Sequence, residues 1–250
     1  INACRKSIRE LSTDLNYLHL QLTLGQYYIQ VEEFVQAEKE LTDCLKSANS
    51  FMKASDPDVL LLQISLAILR SKQWEYSCLR SIHPDNCQLL LDSVQRFEQV
   101  FDVYKVHYGW LHPKTIETLN NLVIVLSKFP DSSWAREKIE SLLVNTLLHP
   151  HSSRVFDEKR VEEIDHLSTI PLLKSVSVFF ERQKEYSRCI SYYQQIVELF
   201  EKSIFFGPFH PDTLKALVFL GDLYDLNDQE LNAEQCYWQT NERRQRSQDH

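Results

Sequence analysis

The chain has 250 residues, of which 43% are hydrophobic and 25% are charged, with 8 prolines and only 4 glycines. So few glycines and prolines argue against an all-β protein and against phosphate-binding loops, and they favour a mostly helical chain. The net charge of -8 argues against a nucleic-acid partner, which needs a broad positive surface.

Membrane insertion and secretion are not indicated. No apolar run approaches the ~20 residues that span a bilayer, and no secretory signal peptide is visible. The six cysteines are scattered without a CxxC pair, which is typical of reduced thiols in a cytoplasmic protein. Because the first residue is Ile1 rather than Met, we expect the chain to be a segment of a longer protein.

The apolar residues follow the 3/4 spacing of helices that come in pairs. Residues 1–14 are predicted to form the end of a helix or a cap. The first pair, over residues 15–55, places Gly25 at position 8 of a repeat frame, Tyr28 at position 11 and Ala37 at position 20.

The second pair spans residues 56–109. It begins after Asp56, with Pro57 in the first helical turn. Its second helix is interrupted at His83, which precedes a proline, so residues 75–87 are predicted to be an insertion.

Three further pairs complete the chain. They are predicted at residues 110–148, 169–206 and 207–246, with an insertion at 149–168 and a tail at 247–250. Three arginines near the end (Arg243, Arg244 and Arg246) are interpreted as a solvated last helical turn, where cations favour the helix dipole.

The last pair is the most regular. Gly221 and Ala233 lie where two antiparallel helices come closest, Tyr224 and Tyr237 fill the space beside them, and a polar break at residues 227–229 separates the helices. This pattern resembles the tetratricopeptide repeat, W-x2-L-G-x2-Y followed by A-x3-F. The resemblance implies an all-α, right-handed solenoid of about five helix-turn-helix repeats.

Two linkers narrow the repeat type. The segments YGWLHPKTIETLNNL (108–122) and FGPFHPDTLKALVFL (206–220) share a G-x-x-H-P-x-T-x-x-x-L-x-x-L string. This string resembles the repeats of kinesin light chains. We interpret its His-Pro pairs, at His112 and His210, as helix starts.

Catalytic and metal-binding patterns are sparse. The chain lacks GxGxxG, P-loop, GxSxG and HExxH motifs. His149 and His151 could begin a metal site with Cys87 or Asp157, but further ligands at usable spacing are missing, and a solvated loop is the preferred interpretation. We therefore expect neither catalysis, nor a cofactor, nor a bound metal.

The resemblance implies that the first helix of each repeat lines a concave groove. The residues at its groove positions are His19, Leu22, Gln26, Leu61, Ile64, Ile68, Glu117, Asn120, Ile124, Lys174, Val178, Glu181, Lys215, Val218 and Asp222. Six of them form an apolar strip: Leu22, Leu61, Ile64, Ile68, Ile124 and Val178. Such a strip favours docking of an amphipathic helix or a short peptide with apolar anchors. The alternative is that the insertion at 149–168, or closure of the superhelix, covers it.

Asn120 matches a position where kinesin-light-chain-like repeats clamp a peptide backbone, and an amide suits this role because it both donates and accepts hydrogen bonds. A partly basic rim is predicted from Lys72, Lys128, Lys174 and Arg182. The predicted function is a non-enzymatic protein-interaction module. A structural or oligomerisation spacer and a regulatory sensor domain of a larger signalling protein remain as alternatives, and the oligomeric state stays open.

Overall fold

The computed structural model describes residues 15–79, 87–129, 132–147 and 167–248. Within these ranges the chain contains ten α-helices and no β-strand. The helices are α1 (Leu15–Gln30), α2 (Phe34–Asn49), α3 (Pro57–Leu79), α4 (Gln88–Tyr108), α5 (Pro113–Leu126), α6 (Ser133–Leu147), α7 (Ile170–Arg182), α8 (Tyr186–Lys202), α9 (Pro211–Leu226) and α10 (Glu230–Gln248). The predicted all-α class is confirmed. No described helix has the length and the apolar content needed to cross a membrane.

The helices follow the predicted order of five pairs, with one difference in extent. Helix α3 continues to Leu79, so residues 75–79 of the predicted insertion belong to this helix. Residues 1–14, 80–86 and most of the second predicted insertion lie outside the described residues. The division of the chain into repeats and insertions stays a prediction.

The chain divides into two compact units. The first runs to His107 and includes Lys128–Ser132, and the second comprises Tyr108–Ser127 and the residues from Ser133 onward.

The core of the first unit forms where α1, α2 and α3 pack together. Its buried side chains come from all three helices: Leu18, Leu22, Ala37, Leu41, Cys44, Ala48, Val59, Leu62, Leu66 and Leu69. These residues recur at the helical spacing that the sequence predicts. Their removal from water supplies most of the stabilisation of the three packed helices.

Arg70 connects three helices of the first unit. Its Nη2 lies 2.8 Å from Oε1 of Glu38 on α2, and its Nε lies 3.0 Å from Oδ2 of Asp92 on α4. Gln73 donates a hydrogen bond to the second oxygen of Glu38, over 3.1 Å. The guanidinium side chain is mostly buried, and its fixed fork of donors suits two carboxylates on different helices.

In the second unit, the last helix pair has the close packing that the sequence predicts. Gly221 and Ala233 are both buried, and the ring of Tyr237 lies directly over Gly221. The hydroxyl of Tyr237 lies 2.8 Å from carboxylate oxygens of both Asp222 and Asp225, to which it donates.

The turns inside three helix pairs share one backbone conformation. Glu32, Lys184 and Asp228 have φ angles of 61°, 60° and 56°, which lie in the left-handed region. In each turn the next residue donates its N–H to a carbonyl five residues earlier, as from Glu185 to Phe180 over 3.0 Å. This arrangement satisfies carbonyls that the helix end leaves without partners.

The two His-Pro linkers of the second unit are built alike. The imidazole Nδ1 of His112 accepts a hydrogen bond from the N–H of Lys114, and that of His210 accepts one from Asp212. Helices α5 and α9 begin at the following proline. The predicted helix starts are therefore confirmed here, with histidine as the capping residue. The other two His-Pro pairs lie outside the described residues.

The cysteines of the described part of the chain are free thiols. Cys44 and Cys189 are fully buried at helix-packing positions. Burial raises the pKa of the Cys44 thiol to about 12 and that of the Cys189 thiol to about 11. Both thiols are therefore neutral and unreactive, as expected for core residues.

Candidate peptide-binding surface

Leu22 does not line a groove. Its side chain is only 5% exposed and belongs to the core cluster of the first unit, beside residues of α2 and α3. The sequence frame places it on the free side of α1, but α1 packs against α3 at this point. The prediction for Leu22 was wrong because packing of α1 against α3 covers that side chain.

Gln26 is also engaged within the chain. Its Nε2 donates a hydrogen bond to the Oγ of Ser65 on α3, over 3.0 Å, and the side chain is half-buried. The hydroxyl of Ser65 donates a hydrogen bond to the carbonyl of Leu61, over 3.0 Å. The amide of Gln26 therefore ties α1 to α3.

The predicted groove residues of α3 form a small apolar patch on the first unit. Leu61 is 38% exposed, whereas Ile64 and Ile68 are half-buried. Ile64 packs against the cluster of Leu60 and two α4 side chains. The patch is accessible chiefly through Leu61.

The predicted groove residues of α5 and α7 are more open. These two helices pack against each other within the second unit. Ile124 on α5 is 37% exposed and Val178 on α7 is 39% exposed. Both occupy position 9 of the repeat frame, so they are equivalent residues of helices in contact. We call the exposed face of Asn120, Ile124, Lys174 and Val178 the α5–α7 surface.

Asn120 lies one helical turn before Ile124 on the same face of α5. Its Oδ1 is buried and has no hydrogen-bond partner among the described residues. A buried amide oxygen without a partner is destabilising, by roughly 1–3 kcal/mol. This oxygen is closed to solvent, so a ligand N–H reaches it only after the Asn120 side chain rotates outward.

Cations border the α5–α7 surface on one side. Lys174 is exposed, and its Nζ lies 5.5 Å from the ring centre of Phe200. Lys215 on α9 is exposed and pairs with Asp212 over 3.2 Å. The hydrogen bond from Lys215 lowers the pKa of the Asp212 carboxyl.

The rest of the predicted basic rim is less available. Lys72 and Lys128 both lie on the first unit and both pair with Glu75, over 3.0 and 2.9 Å. Arg182 is exposed at the end of α7. Because Glu75 neutralises much of the charge of the two lysines, the rim is weaker than the sequence predicts.

The remaining predicted groove residues differ in exposure. His19 is exposed near Asp58, and Glu117 and Asp222 are exposed, while Glu181 and Val218 are half-buried. Asp222 is engaged by the hydroxyl of Tyr237.

The second unit contains a cleft of about 370 Å³ that the sequence pattern does not predict. Its floor is apolar and buried, and its rim is polar. The floor consists of Val197, Leu217, Leu220 and Cys236, and the rim includes Gln194, Glu198, Glu201, Gln235, Gln239 and Arg243. Arg243 lies at the rim and pairs with Glu201 over 2.6 Å. It is therefore not the free, solvated cation that the sequence predicts. The cleft lies between α8 and α10, away from the frame positions that the family resemblance singles out.

Among the described residues, no three side chains of His, Cys, Asp or Glu are grouped so that they could hold a metal ion. His149, His151 and Asp157 lie outside those residues. Apolar side chains, one amide and two lysines make up this surface and its border.

Comparison with known proteins places the fold. No protein-family model and no curated protein matches the chain. A Podosopora anserina structure described as "kinesin light chain nearly identical TPR-like repeats" matches with a TM-score of 0.58 and 15% identity, over 93% of this chain and 97% of that one. The structure of BtubC (BKLC) from P. vanneervenii matches with a TM-score of 0.63 and 14% identity, over 98% of this chain and 88% of that one. The predicted α-solenoid fold of tetratricopeptide-like repeats is thereby confirmed, and it is similar to the repeats of these structures.

Proposed function

We propose that this chain, which folds as tetratricopeptide repeats of the kinesin-light-chain type, is a non-enzymatic interaction module that binds a peptide or an amphipathic helix on the α5–α7 surface. One observation carries the proposal. Ile124 and Val178 are exposed at equivalent positions of two helices in contact, and the oxygen of Asn120 beside them has no partner among the described residues.

The surface suits an apolar anchor flanked by peptide backbone. Ile124 and Val178 each keep a little more than a third of their area exposed. Full burial of such side chains stabilises by about 1.5–3 kcal/mol, so covering the exposed third contributes roughly 0.5–1 kcal/mol for each residue. These contacts alone do not give a tight complex.

In this proposal, hydrogen bonds to the peptide backbone supply the rest of the binding free energy. The amide of Asn120 can accept from a peptide N–H and donate to a peptide carbonyl. A net hydrogen bond contributes about 0.5–1.5 kcal/mol, and it also removes the cost of the oxygen that lacks a partner. Lys174 and Lys215 favour a ligand with acidic residues beside its apolar anchor.

The patch on α3 of the first unit is a separate apolar surface, exposed chiefly through Leu61. A cytoplasmic location fits the proposal, because the described cysteines are free thiols of the kind that reducing compartments maintain.

The test begins with selection of ligands rather than capture from extract. A library of displayed peptides is selected on the full chain, and the affinities of the enriched peptides are measured by isothermal titration calorimetry. The variants are Ile124→Glu and Asn120→Ala. The control is Ile204→Glu, which changes a more exposed isoleucine, in the loop before α9.

We expect Ile124→Glu to weaken binding by at least about tenfold, because it places a carboxylate under the apolar anchor. Asn120→Ala should weaken it severalfold, and Ile204→Glu should not change it. If the enriched peptides bind all three variants with the affinity of the wild type, the α5–α7 surface is not the binding site. A self-association abolished by Ile124→Glu would instead favour the oligomerisation alternative.

A further inference from the structure

Helix α1 carries a second apolar face, apart from the one that packs in the core of the first unit. Apolar side chains recur on it at spacings of three and four residues, which places them on one side of the helix. They are Tyr17, Leu20, Leu24, Tyr27 and, directly after the helix, Val31. Leu20, Tyr27 and Val31 are 52%, 56% and 45% exposed, and the other two are half-buried. We call these five residues the α1 stripe.

The composition of α1 agrees with burial on two sides. The helix contains no Asp, Glu, Lys or Arg. A helix that is apolar on all sides is typical of a buried position. A repeat that ends a solenoid has a polar outer face instead, because nothing covers it. The α1 stripe is therefore the kind of surface that another element covers.

The first helices of the four later repeats bury the same positions. Frame position 8, which is Gly25 in α1, is Ala67, Val123, Ser177 and Gly221 in α3, α5, α7 and α9. Positions 0, 3, 7 and 10 are the first four residues of the α1 stripe. In the later helices the residues at these positions are at most 6% exposed: Val59, Leu62, Leu66, Leu69; Thr115, Thr118, Leu122, Val125; Thr169, Leu172, Val176, Phe179; Thr213, Ala216, Leu220, Leu223.

Helix α3 shows what covers these positions. Its four residues there belong to the core that it shares with α1 and α2, the preceding helix pair. Leu62 and Leu69 correspond to Leu20 and Tyr27, yet the first two are buried and the last two are more than half exposed. The α1 stripe thus has the character of a contact between repeats, while no described residue precedes α1.

The first eleven residues of the chain have a complementary pattern. They lie outside the described residues, and their sequence is INACRKSIREL. Its larger apolar residues recur at spacings of three, four and three, which are the intervals of the α1 stripe: Ile1, Cys4, Ile8 and Leu11. On a helix the charged residues would lie on the remaining sides: Arg5, Lys6, Arg9 and Glu10.

We propose that residues 1–11 form an amphipathic helix that covers the α1 stripe, in the place of the second helix of a preceding repeat. Only residues 12–14 connect it to α1, and so short a connection joins antiparallel neighbours. Asp14, directly before α1, is a residue type that caps a helix start. One antiparallel register pairs all four apolar residues with the stripe: Leu11 with Tyr17, Ile8 with Leu20, Cys4 with Leu24 and Ile1 with Tyr27.

Length and connection favour this segment over a second copy of the chain. A helix of eleven residues is about 16 Å long, and the stripe from Tyr17 to Tyr27 extends over about 15 Å. A short connection gives a tethered segment an effective concentration of the order of 1 mM, which a second copy would have to exceed. The inference is separate from the proposed function, because α1 belongs to the first unit and the α5–α7 surface to the second.

Two matched substitutions in the full chain test whether the segment covers α1. Ile8→Asn changes the proposed contact side, and Arg9→Asn changes the neighbouring residue on the charged side and costs at least as much helix propensity. Hydrogen–deuterium exchange of the α1 amides is followed by mass spectrometry. We expect Ile8→Asn to accelerate this exchange at least about tenfold, because α1 loses its cover, and Arg9→Asn to leave it nearly unchanged.

The same measurement on α1 itself separates a covered stripe from a free one. Leu20→Asn replaces a side chain that would matter little if it stayed in water, so a comparable acceleration shows that Leu20 is covered. Thr23→Asn, at an exposed polar residue of the same helix, is the control and should have little effect.

A disulfide tests the register. The two Cα atoms of a disulfide lie within about 7 Å of each other. Leu24→Cys places a thiol opposite Cys4, whereas Gln30→Cys places one at an exposed position near the end of α1. After mild oxidation and peptide mapping, we expect an intrachain disulfide from residue 4 to residue 24 and none from residue 4 to residue 30.

Three outcomes would overturn the inference. One is an unchanged exchange of α1 in Ile8→Asn. Another is equal cross-linking of Cys4 in Leu24→Cys and Gln30→Cys, or no cross-linking in either. The third is a dimer that Leu20→Asn abolishes and Ile8→Asn does not affect, which would assign the α1 stripe to a second copy of the chain.

Discussion

Gly221 lies directly under the ring of Tyr237, so closely that a β-carbon at residue 221 would stand 2.6 Å from Cε1 of the tyrosine. The ring cannot easily move away, because the Tyr237 hydroxyl is held by Asp222 and Asp225 on the same helix as the glycine. This contact fixes the separation of α9 and α10.

Gly221→Ala is predicted to destabilise the chain, although alanine is the better helix former. The substitution gains roughly 1 kcal/mol of helix propensity, but a steric clash with a packed ring costs typically 1–3 kcal/mol. We expect a net loss of about 1 kcal/mol in the free energy of unfolding, measured by chemical denaturation.

A variant that lacks the Tyr237 ring supplies the control. In a Tyr237→Leu background the ring is absent, and Gly221→Ala should become neutral or stabilising. A double-mutant cycle on the four proteins measures this coupling. An equal cost of Gly221→Ala in both backgrounds would contradict the assignment of the clash to Tyr237.

Lys184 is predicted to be a site of stored backbone strain. Its φ of 60° lies in the left-handed region, which costs an L-residue about 1–2 kcal/mol and costs glycine nothing. Lys184→Gly should therefore raise the free energy of unfolding by roughly 0.5–1 kcal/mol, after the greater freedom of glycine in the unfolded chain is subtracted.

Two further substitutions serve as controls for this prediction. Lys184→Ala keeps the strain and should have little effect. Lys39→Gly, at an exposed position inside α2, should destabilise by about 1 kcal/mol. Thermal unfolding of the three variants compares the signs directly, and a destabilised Lys184→Gly protein would show that the lysine side chain matters more than its backbone.

The sequence predicted the helix pairs because their packing residues are intrinsic to each pair. Gly221, Ala233 and Tyr237 report a contact between two neighbouring helices, and such a contact appears as a short-range pattern. The His-Pro linkers were predicted for a similar reason, since His210 and Pro211 act on the helix that follows them directly.

The binding surface was predicted less well, because exposure depends on distant elements. Leu22 and Ile124 both occupy groove positions, yet α3 covers the first and leaves the second open to solvent at 37%. The exposure of Leu231 at 83% and of Trp238 at 63% was missed for a related reason, because helical spacing alone does not show which face of α10 another helix covers.

His210 is predicted to stabilise α9 through its Nδ1, which accepts the N–H of Asp212 over 3.1 Å. Loss of an N-cap acceptor typically costs about 0.5–2 kcal/mol. His210→Ala should lower the free energy of unfolding by this amount, whereas His210→Asn should retain most of it, because the asparagine side chain is also a good cap. If both variants lose the same stability, the contact of the imidazole with Phe206, rather than the cap, is responsible.

The carboxyl of Glu38 is predicted to make the stability of the first unit dependent on acid pH. The hydrogen bond from Arg70 lowers the pKa of Glu38 in the folded chain below its ordinary value of 4.5. A carboxyl with a lowered folded pKa stabilises the fold fully above its unfolded pKa, and this contribution is lost as the pH falls through the folded value. The free energy of unfolding should therefore decrease below about pH 4.5, with Glu38 as one source of the slope.

Glu38→Gln should reduce that slope and lower stability at pH 7, because the amide still accepts from Arg70 but lacks the charge. Denaturation between pH 3 and 7 compares the two proteins. An unchanged slope in Glu38→Gln would contradict the assignment of this acid response to Glu38.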